Sequence, residues 1–157
     1  MTVEAPSNTD PSASDAEQIR NLYARYSFAY DNGRAAEYAA LFTENGVFEV
    51  VGGPEVQGSE ALAGMVTAAA ARPARTLHMV SNILVTMTAD GAAGQAYVQL
   101  LALVDGALRV VTVGTYDDTF VRAATGWQLS RRRFEPVAGP DPSGIPVAGG
   151  NSTDSPA

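Results

Sequence analysis

The second half of the chain reads as strands joined by tight turns, and this limits the fold more than any other feature of the sequence. Asp90-Gly91, Asp105-Gly106 and Thr125-Gly126 separate four runs of strand formers, which predicts an antiparallel meander over 77–88, 93–104, 108–122 and 127–134. Strands of this length require a strongly curved sheet or bulges, and Gly114 is one position for such a bend. The first strand alternates with period two. Leu77, Met79, Ser81, Ile83, Val85 and Met87 fall on one face, and His78, Val80, Asn82, Leu84, Thr86 and Thr88 on the other. The second face mixes aliphatic side chains with an imidazole, an amide and hydroxyls, which suits a pocket wall. His78 is the only histidine in the chain, and imidazole is the side chain best matched to proton transfer near neutral pH. The alternative is a hydrogen-bonded structural or surface histidine.

Helices are predicted ahead of the meander. Ser14 and Glu17 fit a capping box, and Ile19, Leu22, Tyr23, Tyr26 and Tyr30 recur at helical spacing as one apolar stripe carrying phenol hydroxyls. Asp31-Asn32-Gly33 ends this helix, Asn or Gly taking the left-handed conformation. Asp31 is placed against the negative end of the helix dipole, where a carboxylate needs compensation. It is either a plain turn residue or, in an apolar site, a strengthened proton acceptor. A second helix follows over 34–42, with Tyr38, Leu41 and Phe42 as its buried positions. Residues 43–46 then form a turn and 47–51 a strand, which Gly52, Gly53 and Pro54 break. Ser59 and Glu60 open a third helix that reaches the alanine run near Ala71.

A single domain over 15–136, between an expected disordered tail at 1–14 and a flexible one at 137–157, accommodates all of these elements. Composition excludes several functions. A net charge of -7, with Arg131, Arg132 and Arg133 as the one basic cluster, argues against nucleic acid. No apolar run reaches the ~20 residues of a membrane helix. The absence of cysteine removes disulfides and thiolate chemistry, and a lone histidine argues against zinc, so no metal or cofactor is expected. The N-terminal stretch has neither the basic nor the apolar segment of a secretory signal, so a cytoplasmic location is expected.

The order of IRNLYARYSFAYDNG, YAALFTENGVFEV, a helix opened by GSEAL, RTLHMVSN and GTYDDTFVRAATGWQLSRRR resembles the SnoaL-like branch of the NTF2-like superfamily across nearly the whole ordered region. The resemblance implies an α+β cone-shaped barrel. Three N-terminal helices would pack in a strongly curved, mainly antiparallel sheet around a mostly apolar pocket, often with a homodimer formed through the outer sheet. Relatives of this branch include scytalone dehydratase, bile acid 7α-dehydratase, steroid isomerases and polyketide cyclases. Carried over by motif position, their catalytic tyrosine, aspartate and histidine fall on Tyr26, Asp31 and His78. Asn82 looks like a pocket residue of the family, and Arg132 matches its basic residue after the Gly-Trp strand, though Arg131 and Arg133 compete for that place. Tyr30, Gln99 and Tyr116 complete the expected substrate-binding set, Tyr116 being equally suited to packing. The strand after His78 departs from the two dehydratases, offering Gln95 and Gln99 where they carry a titratable group.

The implied chemistry is acid/base work next to a carbonyl in a hydrophobic, multi-ring small molecule, as dehydratase, isomerase or cyclase. In it Asp31 orients His78, and Tyr26 polarises the carbonyl. The competing class is a non-catalytic binding or assembly module, in which Asp31 and His78 do not meet. Trp127 is expected in core or dimer surface. Asp117 and Asp118 read as a solvated strand edge with at most one side chain reaching the interior, and Glu49 as facing the cavity without a partner.

Overall fold

The computed structural model describes residues 13–137, so the expected tails, apart from residues 13, 14 and 137, lie outside the described residues. Its elements are α1 (Ala13–Asp31), α2 (Ala35–Ala40), β1 (Phe42–Val50), β2 (Glu55–Gln57), α3 (Ser59–Ala70), β3 (Thr76–Thr88), β4 (Gly91–Val104), β5 (Ala107–Ala123) and β6 (Gly126–Pro136). The six strands form one curled, unclosed sheet in the order β2-β1-β6-β5-β4-β3, antiparallel except for the β1–β6 pair, with three helices packed against it. This is the α+β architecture expected from the sequence. No described helix is long and apolar enough to cross a membrane.

Several boundaries differ from the sequence reading for local reasons. Ser14 lies inside the first turn of α1, where its hydroxyl accepts from Gln18 Nε2 at 3.2 Å rather than capping the helix. Helix α2 stops before Phe42, which already pairs with Leu129 of β6. Residues 43–46 form a wide bulge within β1, because the next pair is Val47 with Arg131. Strand β2, unexpected from the sequence, is three residues long and forms a hairpin with β1.

Bulges curl the sheet. Between Ser81 and Leu84, β3 advances three residues while β4 advances two, and Asn82 takes up the extra residue with φ +55°. One extra residue exchanges the faces of a strand. His78 and Val80 therefore face the core before the bulge, while Ile83, Val85 and Met87 face it afterwards, and Leu84 is turned outwards. A second bulge lies at Val111 in β5, near the bend assigned to Gly114, and a third at Ser130 in β6.

Helix α1 fills the concave side of the sheet through Ile19, Leu22, Tyr23 and Tyr26, all buried. Gly94 makes this close approach possible, since a Cβ there would lie 2.5 Å from Tyr23 Oη and 2.7 Å from the Phe120 ring. At the far end Trp127 is buried, donates from Nε1 to Asp15 at 3.0 Å, and lies under the Arg122 guanidinium, which also pairs with Asp15. The convex face is unusually apolar, exposing Met79, Leu84, Tyr97, Leu103, Val110 and Val113.

Candidate functional site

The site forms where α1 ends against β3. Gly33, at φ +68°, turns the chain out of the helix, the Gly33 N–H bonding to Tyr30 O and the Arg34 N–H to Ala29 O, the paired bonds of a Schellman stop. This leaves Asp31 as the last helical residue, with its carboxylate at the unfavourable end of the dipole. Strand β3 supplies the compensation. It is an edge strand, and its His78 backbone N–H donates to Asp31 Oδ2 at 2.8 Å while the His78 ring Nδ1 lies 2.6 Å from Asp31 Oδ1. Both side chains are at least nine-tenths buried.

A carboxylate that already accepts one N–H fixes the imidazole by accepting a second. Nδ1 carries the proton given to Asp31, so Nε2 is the nitrogen with an unshared lone pair. Tyr30 flanks the ring edge-on, with centroids 4.7 Å apart, and Tyr26 lies behind at 6.1 Å. The structure thus brings Asp31, His78, Tyr26 and Tyr30 together.

Behind them, the interior is more polar and more closely packed than an open apolar pocket. The Tyr26 ring lies 4.8 Å from that of Tyr38 and 5.9 Å from that of Tyr116, and all three residues are buried. The Arg132 guanidinium sits over Tyr26, Tyr116 and Tyr23 at 4.1, 4.0 and 4.8 Å. It donates to Asp118 through Nε at 2.9 Å and Nη2 at 2.7 Å, a bidentate pair with no exposed surface. Arg132 Nη1, Tyr23 Oη and Tyr38 Oη are buried without hydrogen-bond partners among the described residues.

Residues 131–133 alternate across the sheet. Arg131 and Arg133 lie on the outer surface with Glu49, and Arg131 also reaches Glu55. The inner choice is therefore Arg132. Asp118 faces inward and Asp117 outward, accepting from Gln95 at 2.9 Å, so one aspartate of the pair does reach the interior, but as a buried ion-pair partner rather than a solvated one. Glu49 has partners on the outer face and does not face a cavity.

Two expected site residues are misplaced by the sequence reading. Asn82 is exposed, because it is the bulged residue and no longer shares the face of His78. Gln99 is exposed beside Met79 on the convex face, while its neighbour Leu100 stands opposite His78. Tyr116 and Arg132 are sealed behind the dyad rather than open to the outside. The opening next to the dyad is a cavity of about 270 Å³ between the ends of α1 and α3 and the start of β3, with Tyr30, Asp31, Arg72, Arg75 and Thr76 on its wall. That is just below the ~300–1,000 Å³ typical of ligand sites. Sequence reasoning missed Arg72 and Arg75, whose only signal was their position just ahead of His78.

Burial pushes the Tyr30 phenol up to about 12, and raises Tyr23, Tyr26, Tyr38 and Tyr116 as well. For Arg132 burial acts downward, but the charge and hydrogen bonds of Asp118 together with the neighbouring Tyr26 and Tyr116 hold the guanidinium well above its usual value. The phenols are hydrogen-bond donors, not bases, at any physiological pH. Above about pH 10 the unfolded chain loses phenol protons that the folded chain keeps, so stability present below that pH falls as pH rises. Tyrosinate absorbance at these five residues should appear together with unfolding in one cooperative alkaline step. Reversible ionisation of all five with the fold intact would contradict their burial. Among the described residues no group of three or more acidic or histidine side chains is arranged to hold a metal ion.

Comparison with known proteins places this geometry. The model of the SnoaL-like domain family matches residues 11–133. No curated protein matches the chain. Among solved structures, an NTF2-like protein with a cystatin-like fold from Novosphingobium aromaticivorans is 29% identical, covering 82% of this chain and 85% of that one, with a TM-score of 0.75. Aln2 from a Streptomyces species is 26% identical over 82% and 94%, TM-score 0.74. A Catenulispora acidiphila protein in complex with S-DNPA is 25% identical over 80% and 95%, TM-score 0.72. With the family model spanning most of its length and the expected architecture around it, the chain belongs to the SnoaL-like domain family.

Proposed function

We propose that the protein is a cofactor-independent acid/base enzyme that moves a proton at a carbon next to a carbonyl in a hydrophobic, multi-ring small molecule, as a dehydratase or isomerase. The observation that carries this reading is the doubly bonded, nearly buried Asp31–His78 pair beside a cavity. The pair also compensates Asp31 at the helix end, and it is its place beside a cavity that favours chemistry over a purely structural role. Family membership and a similar protein that binds a small molecule support a small-molecule ligand.

In the proposed cycle His78 Nε2 takes the proton from carbon, and the Asp31 carboxylate stabilises the imidazolium that forms. Tyr30, on the cavity wall, holds a protonated phenol near the ring and donates to the developing enolate oxygen, with Tyr26 buried behind it as its support. In a dehydration the imidazolium returns its proton to the departing hydroxyl, so water leaves. In an isomerisation it returns the proton to another carbon of the conjugated system. A polyketide cyclisation uses the same groups with the enolate carbon as nucleophile. Arg132, bearing an unspent Nη1, fixes and polarises the tyrosines from behind.

The test is proton exchange in deuterated water with a panel of cyclic ketones and β-hydroxyketones, read by mass spectrometry. The reading expects deuterium uptake next to the carbonyl, or loss of water, well above the buffer rate for at least one class. Exchange at the buffer rate across the panel would count against it. The exposed Met79, Leu84, Tyr97 and Val110 also support pairing of two copies through the convex face. Sedimentation equilibrium should then read twice the 16.3 kDa chain mass, and a monomer would refute it.

A further inference from the structure

The ten basic residues are all arginine, and five of them, Arg34, Arg122, Arg131, Arg132 and Arg133, are engaged in ion pairs. Arg72 and Arg75 have neither an ion pair nor a side-chain hydrogen bond among the described residues, although the chain carries a net charge of -7. Both are exposed, and both line the cavity onto which Asp31 opens. Arg72 is close enough to Tyr30 for its charge to act on that phenol.

The local negative groups do not account for them. The Asp31 carboxylate is committed to His78 through both oxygens. The last carbonyls of α1 accept from Asn32 Nδ2 and from the Gly33 and Arg34 N–H groups. Near the end of α3, Thr67 and Ala69 accept from the backbone N–H groups of Ala71 and Arg72. Two forked, fully charged donors thus remain unspent at the mouth of the site, and this fork matches the oxygens of a carboxylate or a phosphoryl group.

We propose that the substrate carries an anionic oxyacid group, which Arg72 and Arg75 hold at the mouth while the carbon to be deprotonated reaches His78. The proposal rests on the acid/base reading of the dyad and specifies its substrate class.

The test uses three probes that share one ring system: 2-naphthylacetate, its neutral amide, and 2-naphthylmethyl phosphate. Affinity is measured by titration, and contact with the site is read from the ring resonances of the lone histidine. The acetate should bind roughly tenfold tighter than the amide, as a charge-assisted bidentate contact implies, and the preference should shrink with added salt. Arg72→Gln/Arg75→Gln should bring the acetate down to the affinity of the amide and leave the amide unchanged. Arg109→Gln, which removes another exposed arginine without an ion pair among the described residues, should keep the preference. Equal affinities, a preference that survives the double substitution, or no binding by any probe would overturn the proposal. A phosphate bound tighter than the acetate assigns the anion as phosphoryl, and the reverse order assigns a carboxylate. Loss of the charge preference with ketone exchange intact removes the anion site alone. A charge preference without exchange removes the enzyme reading alone.

Discussion

Asp118→Ala is expected to destabilise the protein by about 3–5 kcal/mol, the cost of leaving a buried charge uncompensated. Arg132 has no exposed surface, and Asp118 is its only acidic partner among the described residues, so removing the carboxylate strands a guanidinium among three tyrosine rings. The melting temperature should fall on the order of 10 °C for a domain of this size. Asp118→Asn should lose nearly as much, because it keeps the shape and removes the charge. The penalty belongs to the orphaned charge rather than to the worth of the pair, so Asp118→Leu with Arg132→Met should recover much of it, the thioether packing against the same rings. Thermal unfolding of the single and double variants checks this. A double variant no better than Asp118→Ala would show that the pair itself stabilises the fold.

The largest expected effect on activity is at the dyad. His78→Ala removes the proposed base and should lower the exchange rate by about 10²–10⁴-fold, the range of general acid/base contributions. Asp31→Asn should approach that loss while leaving the imidazole in place. An amide can offer its N–H to the ring where the carboxylate only accepted, which turns the hydrogen-bonding preference of Nδ1 around and places the proton on Nε2. Tyr30→Phe should cost less, since it removes one hydrogen-bond donor and leaves the base in place. Equal rates for wild type and His78→Ala would assign the chemistry elsewhere.

The sequence carried the order of the elements and the α+β class, because turn signals and hydrophobic period are local, whereas the pairing of Asp31 with His78, 47 residues apart, was reached only through the family resemblance. What it concealed was set by single extra residues. Unbroken alternation along β3 puts Asn82 on the face of His78, but the bulge there turns it to solvent, and Asn82 itself, tolerant of a left-handed backbone, was the one clue. Gln99 was read from its polarity inside β4, yet cross-strand register sets it beside Met79 on the outer face.

The buried Asp118–Arg132 pair was hidden in the same way. Counting back from the Thr125-Gly126 turn in unbroken register sets Asp118 opposite Arg131, and the bulge at Ser130 moves it to Arg132. Strand β2 was too short to show a period, and residues 43–46 spelled a turn while forming a bulge. The packed tyrosine interior was legible as a stripe on α1, but its closure by Tyr38, Tyr116 and Arg132 depends on contacts remote in sequence.

The central claim is that Asp31 fixes the proton of His78 on Nδ1 and leaves Nε2 as the base. Nitrogen-15 NMR of the imidazole tests this without a substrate, and the lone histidine removes any ambiguity of assignment. Above the pH at which the ring becomes neutral, the claim predicts a protonated Nδ1 and an unprotonated Nε2 in the wild type, with the proton moved to Nε2 in Asp31→Asn. A wild-type ring carrying its proton on Nε2 would contradict the account, because the nitrogen facing substrate would then have no lone pair to offer.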